Sequence, residues 1–138
     1  ALTLPYKALG GSTVTAFGEL VTDVGAWREF WSGKTCAYSH PYPVGFKAER
    51  TQWGRVFHMS VEREDNRPVF VVRQDEFERR GLSPTEPWTV MCIKYGPSTA
   101  TRASGPRNFG FNDPVTIARI RTLEGYTTLA DRVTVDSL

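Results

Sequence analysis

Residues 53–63 alternate strictly, with Phe57, Met59 and Val61 on one side and Val56, His58, Ser60 and Glu62 on the other. A period of two is that of a β-strand with one apolar and one wet face. Such a strand cannot stand alone, because its backbone N–H and C=O groups need partners. Glu64-Asp65-Asn66-Arg67 supplies a turn, and residues 68–74, carrying the run Val69-Phe70-Val71-Val72, supply the returning strand. This stretch commits the chain to an antiparallel sheet with one face covered.

The rest of the sequence is read around that pair. Residues 2–9 and 12–21 form a strand pair about Gly10-Gly11, since two glycines can take the positive φ that a tight hairpin turn requires. Residues 23–32, with Val24, Trp27, Phe30 and Trp31, fit a short helix or a strand. Residues 33–52 are punctuated by proline and glycine and read as loop, and residues 75–87 read as a polar connector. Residues 88–95 read as a further strand, with Met91 and Ile93 on one face and Val90, Cys92 and Lys94 on the other. Residues 96–112 lack periodicity and form a long loop, a kind usually tied to function. Asp113 is a good N-cap and Pro114 suits a first helical position, so a helix runs from 114 to about 124 and stops at Gly125. Residues 127–138 follow as a second short helix or tail. The reading is one α+β domain over residues 1–138.

Composition bounds the chemistry. Hydrophobic residues are 40% and charged residues 23% of the 138, an ordinary globular balance. No apolar run approaches a membrane span, so no membrane association is expected. The net charge is +2, but Arg outnumbers Lys thirteen to four, and Arg is the side chain favoured for phosphate. Between Lys94 and Arg121 five basic residues face one acid, whereas between Glu64 and Glu86 six acids face four bases. Cys36, His40, His58 and Cys92 could be assembled into a zinc set, but no paired CxxC is present. Cys36 and His40 could form a nucleophile–base pair, but no family signature surrounds them. The expectation is no catalytic residue, no metal site and no cofactor.

The order of elements is informative. A hairpin with a double-glycine turn precedes a Gly25-Ala26-Trp27 segment, then the strand Arg55-Val56 through Ser60-Val61. An Asn66-Arg67 turn, a return strand, a Gly/Pro-containing loop, a Trp88-led strand and a helical C-terminus follow. This order resembles the coat proteins of the single-stranded RNA bacteriophages. The resemblance implies an N-terminal β-hairpin plus a five-stranded antiparallel sheet, with C-terminal helices reaching over a partner's sheet in an interlocked dimer. It implies dimers that build an icosahedral shell, a virion assembled in the host cytoplasm, and single-stranded RNA bound on the inner sheet face. Strand alternation places His58, Ser60 and Lys94 on that face, with Arg73 as a neighbour and Arg55 at the strand's entry. Glu62 shares the face. The connections at 33–52 and 96–112 are long for that family, and residues 75–87 carry none of its cross-linking cysteines. Two other readings are a small monomeric nucleic-acid-binding module using the bases between Lys94 and Arg121, and a Cys36/His40 hydrolase.

Overall fold

The computed structural model describes residues 3–33, 36–97 and 104–136. Leu2, Arg102 and Leu138, to which the readings above extend, lie outside the described residues.

Six strands form one antiparallel sheet in the order of the sequence: β1 (Tyr6–Lys7), β2 (Thr13–Ala16), β3 (Lys47–Gln52), β4 (Arg55–Glu64), β5 (Arg67–Gln74) and β6 (Phe77–Gly81). The strand pair expected at 53–63 and 68–74 is present as β4 and β5, with Val61 opposite Phe70. The pairing runs on to Glu64 opposite Arg67, so the turn is shorter than the expected 64–67. The expected N-terminal hairpin is also present, with Tyr6 opposite Val14. The hairpin is not an addition to a five-stranded sheet, however. Its two strands continue into β3 through Val14 and Ala48, so they are two of the six.

Three two-residue turns fold β3 to β6 into a meander. They sit at 53–54, 65–66 and 75–76, between the register pairs Gln52–Arg55, Glu64–Arg67 and Gln74–Phe77. Trp53, Asp65 and Asp75 take φ of 53°, 55° and 51°, the left-handed conformation that such tight turns demand. Strand β3 falls inside the stretch expected to be loop, and β6 inside the expected polar connector. Both are charged strands whose alternation is masked: Lys47, Glu49 and Thr51 point one way, but Ala48 is the single small apolar residue pointing the other.

Residues 88–95 are not a strand. They complete the helix α1 (Thr85–Tyr95). Ser83 Oγ accepts the Glu86 N–H at 3.3 Å, and the Glu86 carboxylate accepts the Leu82 N–H at 2.6 Å, a reciprocal cap of the Ser-x-x-Glu kind. Trp88, Met91 and Cys92 are buried one helical turn apart, whereas Ile93, expected beside Met91, is 78% exposed. Three more helices follow: α2 (Gly105–Phe109), α3 (Pro114–Ile120) and α4 (Tyr126–Asp136). The expected helix after Asp113-Pro114 is therefore present, ending at Ile120, and α2 occupies part of the expected long loop. Gly105 lets α2 touch the start of α1: a Cβ there would lie 2.2 Å from the Pro84 carbonyl carbon.

The helices cover the chain's own sheet. Phe57, Met59 and Val61 of β4 and Phe70 and Val72 of β5 form one core with Trp88, Met91, Phe109, Phe111, Ile117 and Ile120. Trp88 is fully buried and its indole N–H points at Met59 Sδ at 3.3 Å. A second, smaller cluster of Val21, Ala26 and Phe30 belongs to the long excursion between β2 and β3.

Candidate nucleic-acid interface

The five residues expected to bind RNA divide between two faces. His58, Ser60 and Arg73 lie together on the face away from the helices, lining an open concavity of about 330 Å³ with Lys47, Glu49, Glu62 and Glu78. Arg55 is on the opposite face, in phase with Phe57 along β4. Lys94 is not on the sheet at all, because residues 88–95 are helical.

The concave face is electrically neutralised. Among its lining residues two permanent cations, Lys47 and Arg73, meet three carboxylates, Glu49, Glu62 and Glu78. Arg80, in register with Val71, bridges Glu62 at 3.1 Å, Glu78 at 3.1 Å and Glu64 at 3.4 Å. His58 Nδ1 lies 3.5 Å from Glu49 Oε2. Arg73 donates to the Asp75 carbonyl at 3.0 Å. A phosphate chain approaching here would meet more carboxylates than cations, so the surface lacks the positive footprint that nucleic-acid affinity requires.

Arg55 and Lys94 come together elsewhere. Both lie against Tyr95 at the end of α1: the Arg55 guanidinium is 4.4 Å from the ring centroid and Lys94 Nζ 5.5 Å. Lys94 Nζ also lies 4.4 Å over Phe77, whose ring carries Arg79, two residues on along β6, at 5.2 Å. Phe77 and Tyr95 meet edge to face at 6.1 Å, and Tyr95 meets Phe57 at 5.9 Å. The result is a strip in which Arg79, Phe77, Lys94, Tyr95 and Arg55 follow one another. Among the described residues none of these three cations forms an ion pair, and the link toward Asp75 runs through Gln74, which accepts from Arg55 at 3.5 Å and donates to Asp75 at 3.0 Å. Cation–π contacts of this kind hold the charges in place without cancelling them.

Arg79, Phe77 and Tyr95 are members that the sequence reading missed. The signal that would have found them is the helical spacing of Trp88, Met91, Cys92 and Tyr95. Read at period 3.6, it carries Lys94 away from the sheet and onto the β6 side.

The cysteine and histidine candidates are scattered. His40 is fully buried, donates Nδ1–H to the Pro41 carbonyl at 2.8 Å and packs against Tyr42 and Phe111. Burial pulls its pKa down to about 4. Cys36 Sγ meets the Tyr42 hydroxyl at 3.1 Å. His58 is on the outer sheet face, whereas Cys92 is buried on α1 beneath the other face, so the sheet separates them. Among the described residues no three Cys, His, Asp or Glu side chains gather as a metal set, and no helix is long and apolar enough to cross a membrane. Compared with known proteins, the chain matches no family model and no curated sequence.

Proposed function

We propose that this chain is a non-catalytic binding module that takes single-stranded RNA along the strip Arg79–Phe77–Lys94–Tyr95–Arg55. The observation that carries the reading is three cations, unpaired by carboxylate, stacked on two half-exposed aromatic rings. Unstacked bases can lie on aromatic or guanidinium planes while the charges meet the phosphates. The strip replaces the concave sheet face, where Glu49, Glu62 and Glu78 oppose phosphate.

Fluorescence anisotropy with a labelled oligouridine tests it. Binding should weaken with salt, with a log–log slope near −2, since each phosphate neutralised on a single strand contributes about −0.7. Exchanging Arg55 and Lys94 together for Ala should reduce the slope to about −0.7 and the affinity at least tenfold. An unchanged affinity in that variant would remove the strip from consideration. Binding of an acidic peptide but not of RNA would make it a protein-docking surface instead.

A coat-protein role is the second reading, favoured by the sequence of hairpin, antiparallel sheet and C-terminal helices. It requires an interlocked dimer and a shell, with the helices exchanged onto a partner's sheet. Electron microscopy and light scattering of the purified protein separate the two: regular particles support the shell, and a species of one chain supports the module.

A further inference from the structure

The geometry points to an oxyanion site, suited to a phosphoryl group, between Arg50 and Arg107 at the Gly10-Gly11 turn. It is separate from the Arg55–Lys94 strip and stands or falls without it.

Arg50 rises from β3 on the helix side of the sheet and is half-buried. Its Nε donates to Gln52 Oε1 at 2.9 Å, and its Nη1 donates to the Gly10 carbonyl and to Ser12 Oγ, both at 3.0 Å. These bonds fix the guanidinium plane. A guanidinium has five N–H donors, so the two on Nη2 remain, and they have no partner among the described residues.

Arg107, in α2, lies against the same turn. A Cβ built on Gly10 would sit 3.0 Å from Arg107 Cγ and 3.2 Å from its Nε. Gly10 also has φ of +102°, so the turn's glycine serves two ends: it makes the reversal and leaves room for the Arg107 stem. Among the described residues Arg107 forms no ion pair. The carboxylate that touches this turn, Asp113, is buried and committed to the Leu9 N–H at 3.1 Å and to the Thr116 N–H and hydroxyl at 2.8 and 2.7 Å.

Two like charges are thus held beside one glycine, Gly10, with no counterion among the described residues. Burial and the nearby Arg107 charge both lower the Arg50 pKa, which is the cost of that arrangement. An oxyanion bridging Nη2 of Arg50 and the Arg107 guanidinium relieves the repulsion and accepts charge-assisted hydrogen bonds, the geometry for which Arg is suited. A phosphate monoester, with its second negative charge, fits better than a diester.

Titration of the ¹⁵N-labelled protein with inorganic phosphate, phosphoserine and dimethyl phosphate at constant ionic strength tests the site. The Gly10 and Gly11 amides and the Arg50 Nε–H should shift with phosphate and phosphoserine, and less with dimethyl phosphate. Arg107→Ala should weaken phosphate binding about tenfold, the loss expected for a charge-assisted bond, while Arg107→Lys retains part of it. Gly10→Ala should also weaken it by displacing the Arg107 stem. The same shifts produced by chloride alone, or phosphate binding unchanged in Arg107→Ala, would overturn the assignment. So would the absence of any shift at phosphate concentrations on the order of 10 mM.

Discussion

His40 sits edge-on to Tyr42 and tilted over Phe111, with both ring centroids 5.1 Å away. Its Nδ1 is satisfied by the Pro41 carbonyl, whereas Nε2 is buried with no hydrogen-bond partner among the described residues. Protonating Nε2 there would put an unpaired charge among aromatic rings, and burial accordingly pulls the pKa from 6.5 to about 4, with the Arg121 charge adding to the effect. The consequence for stability has a definite sign. Above pH 6.5 both the folded and the unfolded chain carry neutral His40, and the group contributes no pH dependence. As pH falls from 6.5 toward 4 the unfolded chain takes up a proton that the folded chain refuses, so stability is lost across that window, by about 3 kcal/mol in total. Chemical denaturation at pH 7 and pH 4.5 should show this loss, and His40→Phe, which preserves the ring packing, should remove most of it. Equal losses in the two proteins would place the acid sensitivity in other groups.

At the scale of elements, what the sequence showed depended on whether a residue pattern had one physical reading. Strands β4 and β5 were legible because Phe57, Met59 and Val61 alternate with polar neighbours and Asp65-Asn66 leaves space for only a two-residue turn. Helix α1 was not, because Trp88, Val90, Cys92 and Lys94 alternate with Thr89, Met91 and Ile93 in a run with no clear polar side. The missed cue was upstream: Ser83 and Glu86 form the reciprocal cap that starts a helix. That misreading placed Lys94 on a sheet face with His58 and Ser60, and it hid the strip around Tyr95. Helix α3 was legible from its cap alone. Asp113 accepts from Thr116 N–H at 2.8 Å and Oγ1 at 2.7 Å, and its other oxygen accepts the Leu9 N–H, so one carboxylate both starts the helix and ties it to the hairpin. Asp113→Ala should therefore cost more than the roughly 1 kcal/mol of an ordinary N-cap. Leaving the two buried Thr116 donors and the partly covered Leu9 N–H unmatched raises the expected loss to about 2–3 kcal/mol. Asp113→Asn, which keeps an acceptor at the cap, should recover about half. A loss in urea denaturation below 1 kcal/mol for the Ala variant would mean that water or a relaxed hairpin takes over those bonds.

For the whole molecule, the decisive feature is that one chain closes its own core. An interlocked dimer needs helices whose apolar sides find no seat on their own sheet. Here Trp88 and Met91 of α1, Phe109 of α2, and Ile117 and Ile120 of α3 are all 0–1% exposed within one chain. They rest on Phe57, Met59, Phe70 and Val72 of the same sheet. The large apolar residues left outside include Leu9 of the hairpin turn, Leu82 of the β6–α1 connection, Ile93 of α1 and Val115 of α3. Val24 and Val135, which share a concavity beside Trp27, are ringed there by Arg28, Asp131, Arg132 and Asp136. Scattered exposed residues of this kind are normal on a monomer surface, whereas a dimer face gathers them into a patch. The two free sheet edges do not invite pairing either, since β1 has two residues and β6 presents Glu78, Arg79 and Arg80. The chain should therefore fold as a single copy. Its unfolding midpoint, measured by circular dichroism, should be independent of protein concentration over a hundredfold range, because a transition linked to association moves with concentration by mass action. Sedimentation velocity should give a species near 15.5 kDa. A midpoint that rises with concentration, accompanied by a dimer or larger particle, would show that the helices exchange between copies, and the shell-forming reading would then take precedence over the module.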